Sequence, residues 1–401
     1  MNQKNSFLTK PLGKAILIGT VCILIYVVNY YLRNMLSVFS PVLLARGGFT
    51  EEHLGLLSST YMLFYAGGQL INGFWGDMIS PPKMIFGGLA IAGGATALFP
   101  FLPYQWSQII CFAFLGFGLS MVRGPLMKTI SENTEPRHAR VICVFFSFAS
   151  FAGPLIASLF AMFFNEKAAF ILAGVLAVTV VSIGTLVLVM MKKQRHISYR
   201  PVETKSVSSL LSVFKIEKFS FYLIIACLVE IGAASISFWI PTYLTSYLQF
   251  DPNTANMIFS VISVCRAVMP FVALFIFNAI GERDILMMRV SFSIVAILFF
   301  CMFFVKDAWA NIVLMILALM AMSCSSALLW SIYIPGLGKT GRTSSVNGVL
   351  DCSGYVAAAL ANLLFANLTG SVGWQTILLL WSGLGVLGVL ATLLVRGKKK
   401  E

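Results

Sequence analysis

Stretches of about twenty apolar residues follow one another along almost the whole chain, and each is long enough to cross a ~30 Å hydrocarbon layer as an α-helix. They fall near residues 15–45, 54–76, 83–103, 105–130, 140–164 and 168–191, and again near 218–248, 254–280, 285–305, 308–334, 345–369 and 373–396. Only 11% of the 401 residues are charged and 59% are hydrophobic. A soluble domain carries roughly a quarter charged side chains, so the outer surface of this chain is expected to face lipid. The ten-residue alternation of a membrane β-barrel is absent. The expected fold class is an all-α membrane protein with twelve transmembrane helices in two pseudo-symmetric six-helix bundles, 1–191 and 218–401. A polar, basic linker over 192–217 joins them. The apolar stretch near the N-terminus is too long for a cleaved signal and is taken as the first span.

The net charge of +13 does not point to nucleic acid, because its placement explains it. Of 28 Lys and Arg residues, Arg33, Arg123, Lys128 and Arg266 lie within spans, and Arg46, Lys167 and Lys306 lie in connections on the side opposite the N-terminus. The remaining 21 lie on the N-terminal side. This positive-inside bias predicts a cell (inner) membrane protein with both termini cytoplasmic, and a basic face toward the lipid bilayer. The eight cysteines fall inside spans without ligand spacing, and His53, His138 and His196 are placed in loops. No disulfide framework, metal site or cofactor is expected. Short connections leave no room for a water-soluble catalytic domain, and no nucleotide loop or nucleophile elbow appears, so the chain is not expected to be an enzyme. Six spans, a basic loop and six more describe a duplicated transporter with its site near mid-membrane between the halves.

The connection after the second span reads Gly73-Phe-Trp-Gly-Asp77-Met-Ile-Ser-Pro-Pro-Lys83. The glycine, the aspartate four residues on and the following basic residue resemble the signature of the major facilitator superfamily, with Met78 where an arginine is usual. In the fifth span, Gly153-Pro154 with Ala149 and Ala157 resembles that family's antiporter motif. The resemblance implies a close helix contact at Gly73 and a cytoplasmic gate built on Asp77, with Lys83, Gly153 and Pro154 as gating elements. Within the family, Asn29-Tyr-Tyr-Leu-Arg33-Asn-Met-Leu-Ser37 resembles the first span of the organophosphate:phosphate antiporters and anion:cation symporters, which implies that Arg33 holds an anion. Gln69, Ala149 and Ala233 stand where the former carry Lys, His and Arg, which argues against phosphate exchange.

Charges inside a span cost about 2.5–3.5 kcal/mol each on insertion scales and mark functional candidates. Five stand out here: Arg33, Arg123, Glu230, Arg266 and Asp351. Tyr26, Tyr30, Arg33 and Ser37 share one helical face, as do Tyr61, Tyr65, Gln69 and Asn72, and Asn347, Asp351, Tyr355, Ala358 and Asn362. Such stripes also arise where helices merely pack through hydrogen bonds. Arg266 with Asp351, or with Glu230, could form a structural pair, and Arg123 with Lys128 and Glu132 could belong to a gate. If both acids pair with arginines, one positive charge remains, and it is assigned to Arg33. The substrate-binding candidates are therefore Arg33, Tyr30, Tyr26, Gln69, Arg123, Arg266 and Tyr355, and the proton-coupling candidates are Glu230 and Asp351. The expected activity is secondary transport of a small organic anion (sugar phosphate, sugar acid or carboxylate) by proton symport or anion exchange, by a monomer. The alternatives are a drug:proton antiporter and a transporter-like sensor of sugar phosphate.

Overall fold

A computed structural model describes residues 10–45, 49–200, 212–371 and 373–394. Arg46, the middle of the linker (201–211) and the side chain of Asn362 lie outside the described residues. Twelve helical rods follow in chain order among the described residues, with no strand. They are α1 (Pro11–Ala45), α2 (Glu51–Met78), α3 (Pro81–Leu98), α4 (Gln105–Asn133), α5 (Pro136–Phe163) and α6 (Glu166–Lys193). Then come α7, which begins as Phe219–Glu230 and runs on through Ile231–Ile236, Ser237–Thr242 and Tyr243–Tyr247, and α8 (Pro252–Ala279). The last four are α9 (Asp284–Phe304), α10 (Ala308–Ala327, extended by Leu328–Tyr333), α11 (Thr343–Ser371) and α12 (Gly373–Leu394). These are the twelve helices expected from the apolar runs.

Helix starts follow local chemistry. Prolines open α3 and α5, where a missing N–H costs nothing. Thr50, Asn165 and Asp307 cap α2, α6 and α10 by accepting from the N–H of His53 (3.1 Å), Ala168 (2.9 Å) and Ala310 (2.7 Å). His53 and His138 consequently sit in the first turns of α2 and α5 rather than in loops, because the helix starts lie beyond the apolar runs.

Nine helices among the described residues are long and apolar enough to cross a membrane. The three rods outside that set are instructive. In α2 and α11 the polar stripes lower the apolar character, and α7 is interrupted by π-turns at Ile231–Ile236 and Tyr243–Tyr247, a geometry that gathers at functional positions. Elsewhere large apolar side chains cover the outer faces. Met162, Phe163 and Phe275 are about three-quarters exposed, as expected of side chains meeting lipid. Tyr104, Trp106 and Trp309 are also exposed near helix ends, where amphipathic rings suit the headgroup level.

The chain divides into two compact units, Met1–Val213 with Ile334–Cys352, and Phe214–Tyr333 with Ser353–Glu401. In the first, α4 packs between α2 and α3, α1 against α5 and α6, and α3 against α6. The linker start also belongs here. Ile197 is buried, the Ser198 N–H donates to Asn133 Oδ1 (2.8 Å) and the Arg200 N–H to Glu132 Oε2 (3.0 Å). The Arg200 guanidinium donates to the Lys339 carbonyl (2.6 Å), and burial holds the Tyr199 phenol above its ordinary pKa. In the second unit, α9 packs on α10 and α12, and α8 on α10. One corner of it is tied by Asp284, which accepts from Lys218 (2.9 Å) and the Tyr222 hydroxyl (2.8 Å).

Candidate functional site

The first unit brings together most of the polar residues singled out above. Arg33, on α1, projects toward three rings, with its guanidinium carbon 5.6 Å from the Tyr30 centroid, 6.0 Å from Tyr61 and 5.1 Å from Tyr65. A cation over aromatic faces is attracted by the ring quadrupoles. Tyr26, one turn before Tyr30, meets it edge-on at 5.2 Å and stacks on Phe146 of α5 at 4.5 Å. The positions on α1 and α2 follow from the four-three spacing, which keeps each stripe on one helix face.

Asp351, fully buried on α11, accepts from Arg123 Nη1 at 2.7 and 2.9 Å, and from Asn347 Nδ2 at 3.3 Å. Arg33 and the Tyr26 phenol also act on it electrostatically. This corrects two expectations. Asp351 pairs with Arg123, not Arg266, and Arg123 belongs to this cluster rather than to the gate beside Lys128. The reason is helical phase: Lys128 lies five residues beyond Arg123, more than a full turn away and on a different level of α4.

Gln69 is buried on α2, and neither its Nε2 nor the Tyr61 hydroxyl has a hydrogen-bond partner among the described residues. Both are donors, and an unmet buried donor costs about 1–3 kcal/mol, so the stripe presents hydrogen-bonding capacity that the fold does not use.

A second arrangement lies nearer the end of α2. Asp77 is 3% exposed and its carboxylate accepts from the N–H groups of Ser344 (3.1 Å) and Ser345 (2.8 Å) and from the Ser345 hydroxyl. These serines form the first turn of α11, so a carboxylate from α2 caps that helix, where the free N–H groups and the dipole favour negative charge. Lys128, 1% exposed, donates to the Asp77 carbonyl at 2.8 Å and lies 3.6 Å from its carboxylate. Gly73 fits against Gly348, and a Cβ added to it would stand 2.8 Å from the Gly348 Cα. Gly153 likewise lies against the backbone of Tyr30 and Tyr31, which is why α5 approaches α1 so closely there. Pro154 is half-buried inside α5, and Lys83 is exposed in the first turn of α3, away from the Asp77 contacts.

Glu230, Arg266 and Tyr355 belong to the second unit. Arg266 donates to the Ser237 hydroxyl and, at 3.4 Å, to Ser323, and Glu230 acts on it electrostatically. Glu230 lies against Gly354, and Tyr355 is half-buried. The sequence reading missed Ser344 and Ser345, because Ser and Thr before an apolar run look like a self-capping start. It also missed Ser237 and Ser323, which carry no distinguishing spacing. Among the described residues no three His, Cys, Asp or Glu side chains gather to hold a metal.

The fold has many solved counterparts. The chain superposes on a variant of the E. coli fucose:proton symporter FucP with a TM-score of 0.74, at 14% identity over 94% of this chain and 98% of that one. A bacterial homologue of the iron transporter ferroportin, in an outward-facing state, gives a TM-score of 0.75 at 11% identity over 94% and 98%. The human organic anion transporter MFSD10 gives 0.65 at 15% identity over 94% and 99%. By sequence, the chain is 30% identical over 102 residues to the probable sulfoacetate transporter SauU of Cupriavidus necator, covering 25% of this chain and 24% of SauU. It is 24% identical over 146 residues to the fosmidomycin resistance protein of Escherichia coli, 36% of each. These matches thus span a quarter and about a third of the curated relatives. The model of the Major Facilitator Superfamily matches residues 22–359, most of this chain, and with its twelve helical rods the protein belongs to that superfamily of secondary transporters.

Proposed function

We propose that this protein carries a small organic anion across the cell (inner) membrane by alternating access, with Arg33 as the anchor of the anion. The observation that carries this reading is the setting of Arg33. Its guanidinium is seated over Tyr30, Tyr61 and Tyr65, beside the α2 stripe that holds the unmet donors of Tyr61 and Gln69. A guanidinium fork matches a carboxylate, sulfonate or phosphate, and tyrosine hydroxyls and an amide supply neutral donors around it. The similarity to a probable sulfoacetate transporter supports an anionic cargo. The absence of the second-half arginine at Ala233 favours a carboxylate or sulfonate over phosphate exchange. In this scheme Asp77, Gly73 and Lys128 hold the first turns of α11 in one state of the cycle and release them in the other. Lys83, Gly153 and Pro154 shape the first half around them.

Uptake of radiolabelled sulfoacetate, simple carboxylates and sugar phosphates into proteoliposomes, with and without a pH gradient, tests this. Arg33→Ala should reduce uptake of the preferred anion by about tenfold or more, the worth of one charge-assisted hydrogen bond. Intact uptake in that variant removes Arg33 from the site. Efflux of cationic dyes without anion uptake would instead identify a drug:proton antiporter, and tight anion binding without counterflow a sensor.

A further inference from the structure

We infer that the second unit carries an anion seat of its own, in which Arg266, set by Ser237 and Ser323, takes one small anionic group: a carboxylate or sulfonate of the cargo, or an inorganic halide.

Arg266 stands midway along α8 on the side turned away from lipid. Val261, Val264 and Val268 are about half exposed and Phe275 about three-quarters. Their spacing of three, four and seven residues places them in one outward row. Arg266 lies on the opposite row with Ile262, Met269 and Ala273, all of them buried. Arg266 itself is half-buried rather than sealed, as are Ser237, Ser323 and Glu230. This corner of the unit therefore keeps accessible surface that, on α8, is not the lipid face.

A charge at mid-span is costly and is commonly met by an opposite charge. Among the described residues the hydrogen-bond partners of Arg266 are instead two neutral hydroxyls, Nη1 donating to Ser237 and Nε to Ser323 at 3.4 Å. Glu230 acts on it through space, without a hydrogen bond to it. The N–H groups left over, those of Nη2 included, keep the planar donor geometry that matches a carboxylate or sulfonate. A halide uses the same donors.

Both hydroxyls are oriented by the backbone around them. Ser237 follows the π-turn Ile231–Ile236 and donates its own proton to the Gly232 carbonyl at 3.2 Å, which turns its lone pairs to Arg266. Gly232 lies against Met322, the neighbour of Ser323, and a Cβ added to it would stand 2.7 Å from the Met322 Cγ. The π-turn of α7 thus sits directly on α10, and Arg266 is fixed from both helices. Ser323 accepts from Nε, and among the described residues its hydroxyl proton has no acceptor, so it can donate to an anion at the guanidinium. Ser237 is a positioning residue; Arg266 and Ser323 touch the anion.

The test titrates full-length protein in halide-free buffer with bromide, acetate, methanesulfonate and sulfoacetate, followed by calorimetry. If the group is inorganic, bromide should bind the wild type and Arg33→Gln alike and should not bind Arg266→Gln. If the cargo supplies it, at least one of the three organic acids should lose about tenfold or more in Arg266→Gln, the worth of one charge-assisted hydrogen bond, with no bromide binding in any form. Either pattern supports the seat. Ser323→Ala should weaken the same anion severalfold, and Glu230→Gln should tighten it severalfold by removing a nearby negative charge. A merely structural Arg266 would leave affinity unmoved in both variants, so these two decide the matter should Arg266→Gln fail to fold. Arg266→Gln or Ser323→Ala binding every probe as the wild type does overturns the seat and leaves the reading at Arg33 intact. A wild type that binds none of the four probes also overturns the seat; uptake of another anion by that protein would still uphold the reading at Arg33.

Discussion

The Asp77 carboxylate meets two helix N–H groups, one hydroxyl and a lysine, all within the first unit. Asp77→Ala should leave the two N–H groups without an acceptor and Lys128 without its counter-charge. A lost cap is worth about 0.5–2 kcal/mol and a broken buried pair about 3–5 kcal/mol, so a clear fall in the detergent-solubilised melting temperature is expected. Asp77→Asn, which keeps one acceptor oxygen, should fall less. Equal melting of both variants and wild type would show that the cap holds nothing. At this scale the chain was legible as to which residues matter and not as to whom they meet. The insertion cost of Arg33, Arg123, Glu230, Arg266 and Asp351 flagged them without a structure. Partner choice depends on the relative heights and phases of distant helices. Arg123 and Asp351 lie 228 positions apart, and nothing in either one's neighbourhood distinguishes that pairing from one with Arg266.

Among the elements, α2 and α11 carry the polar stripes and are the most informative. Their approach is set by Gly73 and Gly348, where backbone meets backbone. A Cβ on Gly348 would collide with the Gln69 carbonyl and stand 2.7 Å from the Gly73 Cα. Gly348→Val should therefore push the first turns of α11 away from α2 and cost stability on the scale of core overpacking, about 1–3 kcal/mol. Gly55, around which nothing lies within 4 Å, should accept Ala with little change, and the two variants compared by thermal melting give the contrast. The strap that follows α6 makes a second prediction. Asn133→Ala and Arg200→Ala remove its side-chain ties to α4 and to the Lys339 carbonyl, and should speed proteolytic cleavage near residues 195–200 without altering the folded core. The spans themselves were readable to within a few residues because a helix must be apolar wherever it meets lipid. The π-turns of α7 were not, since no local residue type announces an extra residue per turn.

For the molecule as a whole, the distribution of Lys and Arg predicts orientation. In a cysteine-free background, Arg342→Cys should be labelled by impermeant maleimide only from the cytoplasmic side and Lys306→Cys only from the opposite side; the reverse pattern would invert the topology. The halves legible as two apolar sextets do not coincide with the compact units, because residues 334–352 are encoded in the second half and cluster with the first. That displacement has a consequence for any attempt to produce the halves as separate polypeptides. A fragment ending near residue 205 would retain Asp77, Lys128 and Arg123 and lack the serines and carboxylate that answer them. The first half translated alone should therefore turn over faster in the cell than when the other fragment, which carries residues 334–352, is co-expressed, and pulse-chase of the tagged halves checks this.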